Sequence, residues 1–121
     1  MMESDAGAAA AGKPEVTYEA FAALDLRAAN VIAAEKHPDA DKLLVLRIDL
    51  GELGERQIIA GIAQQYQPEE LVGKTIIVVA NLKPVRLRGI ESRGMLLATQ
   101  HDDAVTLLTG MGPIPPGAAV S

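Results

Sequence analysis

The chain has 121 residues, 49% of them apolar, a formal net charge of −5 and no cysteine. That length closes one core and not two, the composition excludes wholesale disorder, and the missing thiols exclude disulfides and thiolate metal sites. No apolar run approaches the roughly 18 residues of a membrane span and the start lacks a charged-then-apolar leader pattern, so a cytoplasmic protein with no membrane partner is expected.

The opening MMESDAGAAAAGKPEV is rich in Ala and Gly, and residues 1–16 are expected to form a flexible lead before a domain over 17–121. TYEAFAAL predicts a short helical turn capped by Thr17. From Leu24 the pattern turns to period two: Leu24, Leu26, Ala28, Ile32 and Ala34 are expected on one strand face, with Asp25, Arg27 and Glu35 on the other. HPDAD is turn chemistry, because Pro38 fixes one dihedral and aspartates bond nearby backbone N–H groups. KLLVLRIDLG then predicts a half-buried strand with Leu44, Leu46, Ile48 and Leu50 inward, ELGE a hairpin loop, and RQIIAGIA a third strand.

QPEELVG carries a helix signal of about one turn: Pro68 suits the first position, Glu69 and Glu70 favour the positive end of the dipole, and Gly73 suits the exit. KTIIVVAN is a continuous apolar run, the mark of a strand covered on both faces. MLLAT and VTLL predict a hairpin around QHDDA, and GPIPPGAAV closes the chain with turns and one short strand. Five or six strands with a small helix between the third and fourth point to an all-β fold, an OB-fold five-stranded barrel with small terminal extensions; a generic β-sandwich gives no reason for a helix there.

No catalytic constellation emerges. His37 and His101 stand beside turn residues and are expected to be solvated; Asp39 with Asp41, and Asp102 with Asp103, suit tight turns better than a metal; no serine shows an activating partner, and no nucleotide-binding glycine pattern occurs. No metal and no cofactor are expected. What remains is NLKPVRLRGIESRGM, Asn81 to Met95, where Lys83, Arg86, Arg88 and Arg93 face only Glu91 in an otherwise acidic chain. This stretch is expected to be the loop after the fourth strand, a connection that OB-folds use for ligands. Arginine forks fit phosphate oxygens, Asn81 and Ser92 offer hydrogen bonds to sugar or base edges, and glycines at 89 and 94 let backbone approach closely. With only Tyr18, Phe21 and Tyr66 as aromatics, the chain lacks the stacking platform of a single-strand binder.

HPDADKLLVLRIDLG, RQIIAGIA, YQPEELVGKTIIVVANLKP and GIESRGMLLA, in that order, closely resemble the tRNA-binding domain family. That family includes the C-terminal extension of bacterial methionyl-tRNA synthetase, free-standing dimeric tRNA-binding proteins and synthetase-associated cofactors of eukaryotes. The similarity runs from about Phe21 to Val120. It implies a non-catalytic OB-fold module gripping the outside of folded tRNA, with Lys42, Asn81, Lys83, Ser92 and Met95 on the binding face; the charge argument adds Arg86, Arg88 and Arg93. It also implies a homodimer paired through terminal segments, or attachment to a synthetase catalytic domain. Ala28 and Ala29 stand where such domains often have valine and glycine, and Arg88 and Arg93 where methionine and glutamine are frequent, which adds positive charge. A chaperone-like relative of the fold, binding unfolded export polypeptides, is the alternative.

Overall fold

The computed structural model describes residues 12–121, so the expected flexibility of residues 1–11 lies outside it; 12–17 are exposed and precede the first element. That element is α1 (Tyr18–Ala22), capped by Thr17, whose Oγ1 accepts from the Ala20 N–H at 3.2 Å. The strands β1 (Leu26–Lys36), β2 (Leu44–Asp49), β3 (Glu55–Ala60) and β4 (Thr75–Val79) follow, with the four-residue α2 (Pro68–Leu71) between β3 and β4. Two short strands, β5 (Val85–Leu87) and β6 (Ile90–Ser92), precede β7 (Met95–Leu96), β8 (Ala98–His101), β9 (Ala104–Leu107) and β10 (Ala119–Val120). The main sheet runs β3-β2-β1-β4-β7, every neighbour antiparallel, and β10 takes the edge of β1 at Leu26 and Arg27. This is the expected barrel, with its helix in the expected place.

On the outer face of β2 Arg47 is exposed but Val45 is buried; on the inner side Leu44, Leu46, Ile48 and Leu50 are all fully buried. They meet Ile58 of β3, Ile76 and Val78 of β4, and Leu71 of α2, each such burial contributing about 1.5–3 kcal/mol. Pro68 opens α2 and the Gln67 N–H donates to Glu70 Oε1 at 2.7 Å, so local chemistry sets the start of this turn.

β1 departs from its expected face. Leu24 and Ile32 are exposed, while Ala29 and Val31 join the core. Register with β2 shifts between Val31 and Ala33, a bulge that inserts one residue and returns Ala34 to the inner side. Ala28 is buried too, outside that cluster, and its backbone continues the edge pairing with the C-terminal segment: its N–H donates to Ala118 O at 2.9 Å and its carbonyl accepts from the Gly117 N–H at 2.7 Å. A strand covered on both faces and interrupted by a bulge shows no single alternation. In β4, Ile76 and Val78 face the core, whereas Ile77 is only half-buried, so the run is less enclosed than its continuity suggested.

Between β3 and the chain beyond β6 the barrel closes without a full ladder. The Arg93 N–H donates to Gln57 O at 2.9 Å, and two residues along β3 the Ile59 N–H donates at 3.0 Å to the Ser92 hydroxyl, which donates onward to Gly94 O at 3.1 Å. Ser92 thus substitutes for a carbonyl at the seam. Gly94, at φ 114°, completes it: a Cβ there would stand 2.9 Å from Val79 O.

Candidate nucleic-acid interface

The basic stretch is not a loop. Val85–Leu87 and Ile90–Ser92 pair as a hairpin, with Arg86 opposite Glu91. Its two turn residues, Arg88 (φ 52°) and Gly89 (φ 88°), are both left-handed, as a two-residue hairpin turn whose twist matches its strands requires. Arg-Gly is a weaker turn signal than Asn-Gly or Asp-Gly, and three-residue strands show too little alternation to stand out.

The hairpin is a separate sheet from the barrel but is tied to it at several points. The Gln57 amide nitrogen donates to Glu91 O at 2.8 Å, so β3 holds the base of β6. At the tip, Arg88 Nη2 donates to Asp39 O at 2.9 Å, reaching the connection between β1 and β2. His37 also spans this junction: its Nε2 lies 3.0 Å from Leu87 O, and its Nδ1 is 3.0 Å from the Asp39 nitrogen. The expectation of a solvated loop histidine is therefore corrected, since His37 is 4% exposed with both ring nitrogens engaged. His101 does lie exposed, at the end of β8 beside Asp102.

Of the eight residues singled out, five are exposed cations. Lys83, Arg86, Arg88 and Arg93 lie on or beside the hairpin, and Lys42 is in the loop that receives Arg88. Among the described residues none is within 4.0 Å of a carboxylate, and the ion pairs there involve Arg27, Arg47 and His101 instead. Arg86 donates to Gly89 O at 2.8 Å and Arg88 to Asp39 O, which leaves most of each guanidinium's five donors open. Unneutralised charge on a bonded scaffold is what a polyanion site needs.

The other three serve differently. Ser92 is 1% exposed and its hydroxyl is spent on the seam, so the expectation that it hydrogen-bonds sugar or base edges is corrected: burial removes it from any ligand. Asn81 is exposed, but its Oδ1 accepts from the Asp25 N–H at 2.8 Å and its Nδ2 donates to Ala23 O at 2.7 Å, pinning the segment after α1 to the end of β4. Met95 is half-buried opposite Val79. Sequence reasoning passed over Arg56, whose guanidinium bonds Ala80 O beside the start of the basic stretch. Half-buried, it shares by alternation the face of β3 that carries Ile58 and Ala60.

With this geometry in hand, the domain family described as "Putative tRNA binding domain" matches residues 26–119. The methionine–tRNA ligase of Thermotoga maritima is 59% identical over 106 residues, 88% of this chain but 17% of the ligase, so the chain spans about a sixth of that relative's length. Among solved structures, a MetRS-related protein from Pyrococcus horikoshii superposes with a TM-score of 0.83 at 38% identity, covering 90% of this chain and 100% of that one. The chaperone CsaA of Bacillus anthracis gives 0.82 at 36% identity, covering 89% and 100%.

Proposed function

The chain belongs to the tRNA-binding domain family, and from that premise we propose that it is a non-catalytic module gripping folded tRNA through the hairpin cations. The observation that carries this is the set of exposed side chains Lys83, Arg86, Arg88 and Arg93, without a carboxylate partner among the described residues and joined by Lys42 across the Arg88–Asp39 contact. Such a site reads phosphate spacing and the shape of a folded RNA, and needs no aromatic platform. It acts in the cytoplasm by effective concentration: fused to a methionyl-tRNA synthetase catalytic domain or working beside one, the module holds tRNA near the reacting centre and lowers its apparent Kd.

Salt titration with folded tRNA tests this reading. Four phosphate contacts, each with a slope of about 0.7–0.9, lower affinity by about two decades between 50 and 200 mM salt. A flat titration contradicts the proposal, and poly(U) outcompeting tRNA would move the module to the single-strand binders.

As a second part of the reading, the module is a homodimer. α1 has no buried residue, and Tyr18 is 74% exposed beside Phe21, with Val120 of β10 also exposed. A second copy is the partner that would cover this apolar face; a monomer by sedimentation at micromolar concentration argues against it. A chaperone reading gains some support from Leu82 and Val85, exposed apolar side chains among the cations, and from the likeness to the CsaA structure. Displacement of bound tRNA by an unfolded polypeptide, measured by band shift, separates the two.

A further inference from the structure

We infer that His37 is the positioning residue of the tRNA site, a buried latch that fixes the basic hairpin against the Lys42 loop; this rests on the tRNA-binding reading above. The geometry defines the ring's chemistry. A backbone N–H only donates, so Asp39 N–H makes Nδ1 the acceptor; a carbonyl only accepts, so Nε2 carries the proton and donates to Leu87 O. Arg88, next in the chain after Leu87, returns a bond from Nη2 to Asp39 O, and the circuit closes through three contacts of 2.9–3.0 Å.

Each member of that circuit adjoins a cation of the site. Leu87 lies between Arg86 and Arg88, and Asp39 is three residues before Lys42. The hairpin belongs to its own two-stranded sheet, and an isolated hairpin with three-residue strands is marginal in water. β3 fastens it at its base through Gln57 and Ser92, whereas among the described residues the tip's hydrogen bonds to the rest of the fold are those of His37 and Arg88. Without the imidazole, the tip cations would have to be ordered at the moment of binding, and that entropy would be subtracted from affinity. The latch therefore acts on tRNA through the arginines, without touching it. It also gives the His-Pro-Asp-Ala-Asp turn a purpose beyond reversing the chain.

Two substitutions divide the latch. The amide oxygen of asparagine occupies the place of Nδ1, so His37→Asn keeps the Asp39 bond and loses Leu87. The amide nitrogen of glutamine occupies the place of Nε2, so His37→Gln keeps Leu87 and loses Asp39. Both variants and the parent are compared for thermal unfolding, for amide hydrogen exchange of the hairpin, and for tRNA binding across a salt series. The expected result is a folded His37→Asn protein whose hairpin amides exchange faster and whose affinity at 100 mM salt falls about five- to eightfold, the worth of one phosphate contact. His37→Gln, which retains the tip contact, is expected to restore affinity and salt slope to near the parent values. Parental binding and exchange in His37→Asn overturns the inference, as does equal loss in both variants, which would mark a merely structural histidine. If the parent itself shows no salt-dependent binding, the functional reading fails. The hairpin's exchange in the free protein then decides the latch, and equal protection in all three proteins refutes it.

Discussion

Replacing Arg88 by glycine separates charge from architecture more cleanly than an alanine change. Arg88 sits at φ 52°, where a side chain strains the backbone by roughly 1–2 kcal/mol and glycine does not. Against that relief stand the lost Arg88–Asp39 hydrogen bond, about 0.5–1.5 kcal/mol, and the added freedom of glycine in the unfolded chain, about 0.4–1 kcal/mol. The terms nearly cancel, so thermal unfolding should move by no more than a few degrees. Binding should not be spared. One phosphate contact with a slope of about 0.7–0.9 is worth about the same number of decades at 0.1 M salt, so Arg88→Gly should weaken tRNA binding about five- to eightfold and flatten the slope by that amount. Fluorescence anisotropy with folded tRNA from 50 to 300 mM salt, alongside circular dichroism melts, measures both. An unchanged slope with a normal melt would mean that Arg88 makes no phosphate contact and would refute the charge-based assignment at its best-placed residue.

Three further outcomes check other parts of the structure. Ser92→Ala leaves the buried Ile59 N–H without its partner and should destabilise the barrel by about 1–3 kcal/mol while leaving the salt slope of the folded protein intact; a weaker slope with a normal melt would return Ser92 to the binding face. Leu46→Asp places an unpaired carboxylate at a fully buried position, and loss of the cooperative unfolding transition is expected; a native-like melt would contradict the assigned core. Asn81→Ala removes both ties to Ala23 and Asp25, so limited proteolysis near α1 should accelerate while the melt of the barrel shifts by only about 1 kcal/mol; unchanged cleavage would show that α1 is held by something else.

The seam and the hairpin show how far side-chain order can be read. Leu44, Leu46, Ile48 and Leu50 announce β2, because every second residue is fully buried and the exposed Arg47 interrupts the apolar run. Glu70 and Pro68 announce α2 through chemistry confined to four residues. Ala28 and Ala29 announce nothing: both are buried, one where the C-terminal segment joins the strand's edge and one in the core, so neither contrasts with its neighbours. Ser92 resembled a surface donor because its neighbours are charged, yet it is buried and its hydroxyl accepts from the Ile59 N–H, 33 residues away.

Local pattern alone thus determined the strands outside the basic stretch, the intervening turn and the excess of cations in that stretch, since each depends on residues a few positions apart. Only the folded chain decided which of those residues meet. His37 and Leu87 are 50 positions apart, and Arg88 and Asp39 are 49. Contacts at such separations are set by barrel closure, which no window of sequence contains, and they make a patch of positive residues into a site with fixed spacing.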